Sequence, residues 1–354
     1  MPKSDCRIEP VHIGATISMR VAGETLDDLL FQVLKKLLKA KRVSATRGSM
    51  REQIGAHLIL SDPRARFSKT EKRATLFSCI AEALWYLTGS DELKFIEHYI
   101  TDYRKHLEIP KEATSTPGAY GPRLFAPKFE TSEIGRVIRQ LRDRHSTRKA
   151  VVQLFGNADA QSHDPPCTCV LQFFVRESKV ELIAFMRSND AYVGLPHDVF
   201  AFTWIQELVA SSLGRDVGPY QHMVGSLHLY DSSSDLARDY LKEGWQKKTS
   251  MPIMPSGDPW PSIAWLLKTE SKIRSNPTEA LEAEGVAPYW QDIARLLKVR
   301  ELIKLKQMRD VVREKNRMSS PIYDDFIRSK SHAIKDRQES QLFPDLLSEK
   351  SAPR

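Results

Sequence analysis

The stretch HDPPCTCVLQF, residues 163–173, puts a cysteine directly after two prolines and ahead of an apolar run with the look of a buried strand. A cysteine in that place can be packing, a metal ligand, half of a disulfide or a nucleophile. The residues around it narrow the choice. Two strands are expected, 167–176 and 179–186, flanking a polar turn at Glu177–Ser178. Upstream, a helix (133–144) and a strand (149–155, KAVVQLF) lead into them. Downstream, DVFAFTWIQELVASSL reads as a strongly apolar helix over 198–213 with Asp198 at its start, and YQHMVGSLHLY, 219–230, as a further strand.

The whole chain sets the frame. It has 354 residues, 41% of them hydrophobic and 28% charged, which suits a soluble globular protein with a sizeable core and one large or two smaller domains. No apolar run reaches membrane-spanning length, and MPKSDCRIEPVHIGA lacks the apolar segment of a secretory signal. Four cysteines do not make a disulfide framework, so a reducing, cytoplasmic setting is expected. Cys167 and Cys169 are too close for an ordinary bridge, and without a second Cys/His cluster at ligand spacing a zinc site is not expected. The net charge of +8 fits either a nucleic acid or a small anionic substrate. Residues 295–317 hold nine Lys/Arg against three Asp/Glu, which reads first as a solvated helix face. No nucleic-acid-binding motif accompanies it.

Towards the N-terminus, ETLDDLLFQVLKKLLKAK (24–41) has helical spacing and a basic end, and a polar loop, VSATRGSMRE, follows. A second helix lies within 72–99, with Gly89 as its C-cap. Residues 109–128, rich in Pro, Gly and Ser/Thr, read as a long loop. Beyond residue 245 the character changes. Four segments are expected: a catalytic domain over 1–245, a proline-rich linker over 246–261, two or three amphipathic helices as an extension over 262–335, and a flexible tail over 336–354.

Seven ordered segments carry the functional signal: EALWYL at 82–87, GAYGPRLF at 118–125, TRK at 147–149, PPC at 165–167, RSND at 187–190, GLP at 194–196 and HLY at 228–230. In this order they resemble the thymidylate synthase and deoxycytidylate hydroxymethylase family over roughly residues 20–245. The resemblance implies an α+β fold: a mixed sheet with surrounding helices, here with a helical C-terminal extension, pairing back to back as a homodimer. It also implies an enzyme that transfers a one-carbon unit from 5,10-methylenetetrahydrofolate to C5 of a pyrimidine nucleoside monophosphate.

That chemistry explains the residue types. C5 of a pyrimidine is a poor nucleophile, and adding a thiolate to C6 makes it enolate-like. Cysteine is soft, readily ionised and a good leaving group. By resemblance, Cys167 is that nucleophile, and Cys169 is left a packing role. Arg187 resembles the cation that holds the thiolate and also reaches the nucleotide phosphate. Arg47 and Ser188 resemble further phosphate ligands, since bidentate arginines suit phosphate oxygens. Arg148 resembles an arginine donated across the dimer interface, and Lys149 stands where the family often has a second one. Glu82 lies in an otherwise apolar helix, where a carboxylate needs a partner or a task; the family uses it for proton transfers. Tyr120 resembles the tyrosine that orients a water near C5, Asp190 the carboxylate that holds the pterin, and His228 and Tyr230 the pair on the sugar hydroxyl. Read alone, Arg47 and Arg148 would be surface charge and HLY an alternating strand.

Two departures from the pattern bear on substrate and product. Uracil-specific members carry Asn in the segment after GLP, where Asp198 stands here. A carboxyl group accepts from the N4 amino group of cytosine, as the family's cytidylate hydroxymethylases do, and polar mismatches of this kind discriminate strongly. The plainer reading makes Asp198 the N-cap of the following helix. The folate-side tryptophan of methylating members has no counterpart in HYITDYRKHLE, and the long extension replaces their short tail. Both point away from hydride transfer and towards water addition. The expected reaction is hydroxymethylation of a cytosine nucleotide. The alternatives are thymidylate synthesis on dUMP and a nucleotide-binding module without turnover.

Overall fold

The computed structural model describes residues 18–45, 47–68, 75–126, 128–329 and 331. The expected tail lies outside them. The first strand, β1 (Met19–Gly23), runs into helix α1 (Leu26–Leu37), whose start is fixed by a capping box between Thr25 and Asp28. The stretch read as a polar loop is instead a hairpin: β2 (Arg42–Ala45) pairs antiparallel with the long β3 (Gly48–Leu60). Helices α2 (Leu76–Leu87), α3 (Leu93–Tyr99), α4 (Tyr120–Phe125) and α5 (Glu133–Asp143) follow. The 109–128 region is therefore not all loop. Next come β4 (Val151–Gln153), β5 (Thr168–Arg176), β6 (Lys179–Asp190), α6 (Gly194–Ser212) and β7 (Asp216–Tyr230).

Among the described residues the strands form one mixed sheet in the order β1-β3-β7-β6-β5-β4, with β2 on the side of β3. The expected turn joins β5 to β6, with Glu177 and Ser178 at φ 48° and 62°, the left-handed pair that a tight hairpin needs. β6 and β7 are parallel, and α6 is their crossover. Alternation along the strands sends Leu171, Phe173, Leu182, Ala184, Tyr220 and Val224 into the core under α6. The opposite face, with Phe174, Ile183, Phe185 and Met223, stays half-buried, and Ile54 is 59% exposed.

The C-terminal part continues in α7 (Ser234–Lys242), α8 (Trp260–Ser275), α9 (Pro288–Lys304) and α10 (Met308–Asn316). The proline-rich stretch before α8 is anchored: Met251 and Met254 are buried in the common core, and Met254 N donates to Glu207 at 3.2 Å. Helix α9 is buried on most sides although it carries Asp292, Arg295, Lys298, Arg300 and Glu301, and Trp204 Nε1 donates to the Tyr289 hydroxyl at 2.9 Å. The basic run is a solvated face only from Lys304 onward, where Lys304, Lys306, Arg309, Arg313 and Arg317 are exposed. Arg295, Lys298 and Arg300 are buried, and Glu314 takes Arg295 at 2.7 Å and Lys298 at 3.0 Å. No described helix is long and apolar enough to cross a membrane.

Candidate active site

Cys167 sits at the mouth of β5, half-buried, where the two prolines end and the ladder begins. Its carbonyl accepts from Arg187 N at 2.9 Å, which sets β6 beside it. Arg187 then folds back over the turn: its guanidinium donates to Pro166 O at 3.1 Å and Pro165 O at 2.9 Å and stands 3.8 Å from Cys167 Sγ. Two glycines make this packing possible. A Cβ on Gly225 would meet Arg187 O at 2.9 Å, and one on Gly118 would meet Asp164 O at 2.8 Å. Burial pushes the Cys167 thiol above its ordinary pKa; Arg187 and Arg47 pull it down, and Asp198 and Asp164 push it up.

The carboxyl groups converge from three elements. α2 buries nearly every side chain, Glu82 included, and Glu82 Oε1 accepts from the hydroxyls of Tyr86 at 3.0 Å and Tyr103 at 3.4 Å. Asp198 is buried one turn into α6 and accepts from Asn189 Nδ2 at 2.8 Å. It is not the helix N-cap. The helix starts at Gly194, the cap position is Val193, and the capping-type acceptor is Asp190, whose Oδ1 takes Tyr192 N at 2.7 Å and Val193 N at 3.0 Å. Burial and then the neighbouring Glu82 raise the Asp198 pKa to about 8, against the opposing pull of Asn189 and His197. Asp198 is therefore mostly a neutral acid at pH 7. Tyr120, on α4, accepts from Thr168 N at 3.2 Å and so lies one residue from Cys167. The Thr168 hydroxyl is buried without a partner among the described residues.

The expected phosphate and sugar residues divide into two groups. Arg47 lies near Cys167, pairs with Glu108 at 3.0 Å and donates to His106 O at 2.9 Å. Ser188 pairs in register with Ser226, and Asp190 with His228. His228 is buried and meets Tyr230 edge-on at 4.9 Å, and Tyr230 feels Arg47, Asp190 and Cys167. Arg148 does not join them. It is exposed near the far end of β5, in a cleft with His145, Arg176 and Arg215, about 25 Å along the strand from Cys167.

Cys167 thus has Arg187 beside it, and the carboxyl groups of Asp198 and Asp164 act on its thiol. A family model described as thymidylate synthase matches residues 33–259. The chain belongs to the thymidylate synthase family. A deoxyuridylate hydroxymethyltransferase of Bacillus phage SP01 is 30% identical over 241 residues. That alignment spans 62% of this chain and 62% of the phage protein.

Three features of this thymidylate synthase family member were not read from the sequence. Tyr86 stands four residues after Glu82, one helical turn, a spacing that could have marked it as the hydroxyl donor. Tyr103 comes from the segment after α3 and has no such local signal. Asn189, His222 and Tyr220 form a buried chain behind Asp198. Alternation along β7 puts Tyr220, His222 and His228 on one face, but nothing in the sequence joins them to Asn189.

Proposed function

We propose that this chain hydroxymethylates C5 of a pyrimidine nucleoside monophosphate, preferring cytosine, with Cys167 as the covalent nucleophile. The observation that carries the reading is the buried Asp198 carboxyl group, close enough to act on a half-buried thiol that has an arginine beside it. Cys167 loses its proton and adds to C6, and the displaced electron pair makes C5 nucleophilic. Arg187 favours the thiolate, and it and Arg47 supply guanidinium donors for the phosphate, with Ser188 alongside. A neutral Asp198 supports the first step too, because it removes one anion from the thiolate's surroundings. After the new carbon bond forms, C5 gives up its proton and the bond from the transferred carbon to its donor nitrogen breaks, the electron pair leaving on nitrogen; water then adds to that carbon, losing a proton, as the C6–S bond breaks and returns its electron pair to sulfur. Glu82 is the group for the proton transfers, with Tyr86 and Tyr103 holding its Oε1. Tyr120 is assigned to order water near C5, and His228 and Tyr230 to the sugar.

When bound, 5,10-methylenetetrahydrofolate supplies the one-carbon unit. The site has groups that suit it. Asp190 Oδ2 takes no protein hydrogen bond among the described residues, and the buried Trp85 indole N–H, in an aromatic wall with Tyr103, has no partner there. Asp190, Glu82, Trp85 and Tyr103 would hold it. We further assign a homodimer across the half-exposed sheet face, with Arg148 completing the neighbouring phosphate site, and a reducing cytoplasmic setting, which suits the free Cys79, Cys167 and Cys169. The helices after residue 260 are assigned as an extension of the catalytic unit.

The phage relative is named for deoxyuridylate, and this favours uracil as the second reading. Tritium release from C5-labelled CMP, dCMP and dUMP, with and without the folate, separates the two. Release from a cytosine nucleotide with a gain of CH2O is expected. Release from dUMP alone would transfer the reading to uracil, and no release at all would leave a binding module.

A further inference from the structure

Behind Asp198 runs a hydrogen-bond chain that the chemistry above does not use. The Tyr220 hydroxyl is 2.7 Å from His222 Nδ1, His222 Nε2 is 3.0 Å from Asn189 Oδ1, and Asn189 Nδ2 is 2.8 Å from Asp198 Oδ2. Three elements contribute: β7, β6 and α6. Tyr220 and His222 are fully enclosed and Asn189 nearly so. Enclosed groups must satisfy one another, so the donors can be counted.

The count gives a direction. Burial keeps the Tyr220 hydroxyl protonated and lowers the His222 pKa to about 3, so the ring is neutral and carries a single N–H. The Tyr220 hydroxyl has no other acceptor among the described residues, so its proton points at His222 Nδ1. The ring proton is then on Nε2 and donates to Asn189 Oδ1, and the Asn189 amide N–H donates to Asp198. Tautomer and amide orientation follow from the hydroxyl at the far end.

We propose that Tyr220, His222 and Asn189 form a one-way donor chain that fixes Asp198 Oδ2 as an acceptor, places the carboxyl proton on Oδ1, and thereby sets base selection. The proposal rests on the base-reading role given to Asp198. A carboxylic acid free to carry its proton on either oxygen can pair with cytosine, through N3 and the N4 amino group, or with uracil, through N3–H and O4. With one oxygen held as an acceptor, it presents one donor–acceptor order and matches one base. Tyr220, His222 and Asn189 are thus positioning residues that never touch the nucleotide.

The test is the ratio of dissociation constants for cytosine and uracil nucleoside monophosphates, measured by calorimetry on the full chain with no folate. Tyr220→Phe deletes only the terminal hydroxyl, and His222→Phe removes the ring donor while filling its space. Both variants are checked by melting, and if His222→Phe does not fold, Tyr220→Phe decides. The ratio should fall about tenfold in His222→Phe and less in Tyr220→Phe, because the poorer base improves relative to the better one. A chain that is merely structural would weaken both bases equally. An unchanged ratio in the folded variants, equal loss for both bases, or a wild type that does not discriminate would overturn the chain's role and leave the transfer chemistry standing. A wild type that binds no pyrimidine nucleotide would overturn the functional reading itself, and this proposal with it.

Discussion

The molecule buries charge in two places and treats it in opposite ways. In the helical layer, Glu314 is met by Arg295 and Lys298, and Glu301 by Arg300, by His98 at 3.1 Å and by Lys304 at 3.5 Å. Burial pushes both carboxyl groups up, yet the His98 hydrogen bond with Arg300 and Lys304 at Glu301, and Lys298 and Arg295 at Glu314, hold both below the usual glutamate range. Beside Cys167, Asp198 sits near Glu82, neither has an ion-pair partner among the described residues, and Asp198 is pushed up to about 8. A charge that the fold neutralises is architecture. A carboxyl group left beside another, at the cost of its ionisation, is held for a ligand.

The sharpest break is Cys167→Ser. It should abolish tritium release, by roughly 10⁴-fold or more, while nucleotide binding by calorimetry survives. Joint loss of both would give Cys167 a structural role. Next, Glu314→Gln leaves Arg295 and Lys298 buried without their anion. Denaturant unfolding should then show a loss of roughly 3–5 kcal/mol. Asp198→Asn should do the reverse: no loss of folding stability at pH 7, but a shift of kcat/KM towards uracil nucleotides by about a hundredfold. A preference that stays put would show that the base is read elsewhere. Arg148→Ala should raise the nucleotide KM by about tenfold, and mixing it with Cys167→Ser subunits should restore sites of normal KM if Arg148 serves the partner.

The two regions should also part company on a pH axis. Folded Asp198 keeps its proton to about pH 8, whereas an unfolded aspartate releases it near 3.8. Between those values the folded state binds more protons, so this group's contribution to stability falls as pH rises, and Asp198→Asn should flatten that slope. Glu82 from α2, Asn189 from β6, His197 from its own helix and Tyr86, Tyr103, Tyr120 and Tyr220 around it share that environment. Glu301 and Glu314 have the opposite sign: their contribution is full above the ordinary glutamate pKa and is lost as pH falls through their lowered values. Melting curves across pH 3–9 for wild type, Asp198→Asn and Glu314→Gln would separate the two. Parallel curves would mean that the contrast has no energetic content.

Legibility followed the same line. Glu82 stood out because a carboxylate in an apolar helix needs a partner or a task, whereas Cys167 and Asp198 were legible only through the family segments PPC and GLP that lead into them. Strand β3 was missed because Gly48 and Gly55, both at positive φ, interrupt it, and because its exposed side carries Ser, Arg and Gln. The start of α6 was read four residues late because Asp198 looks like a cap, whereas Asp190 does that work from the end of β6. Arg295, Lys298 and Arg300 looked solvated because local periodicity cannot report an anion on another helix. Arg148 was expected to act across a dimer interface on resemblance alone, and its place near the far end of β5, away from Cys167, has no signal in the local sequence.

One feature of α9 bears on how the protein is made. Arg300 donates to Tyr99 O at 2.6 Å and to His98 O at 3.1 Å, and Lys304 also donates to His98 O, so the end of α3 is held by residues two hundred positions later. Four residues past Tyr99 stands Tyr103, a donor to Glu82. During synthesis at about 5–20 residues per second, roughly 3–12 s separate the appearance of residue 245 from that of Lys304. Through that interval every segment of the family signature has left the ribosome, yet the carbonyls of α3 lack their cations and the backs of α2 and α6 lack their cover. The nascent chain carries its complete chemistry before it has the means to hold it in place, and that interval is when a chaperone would find it.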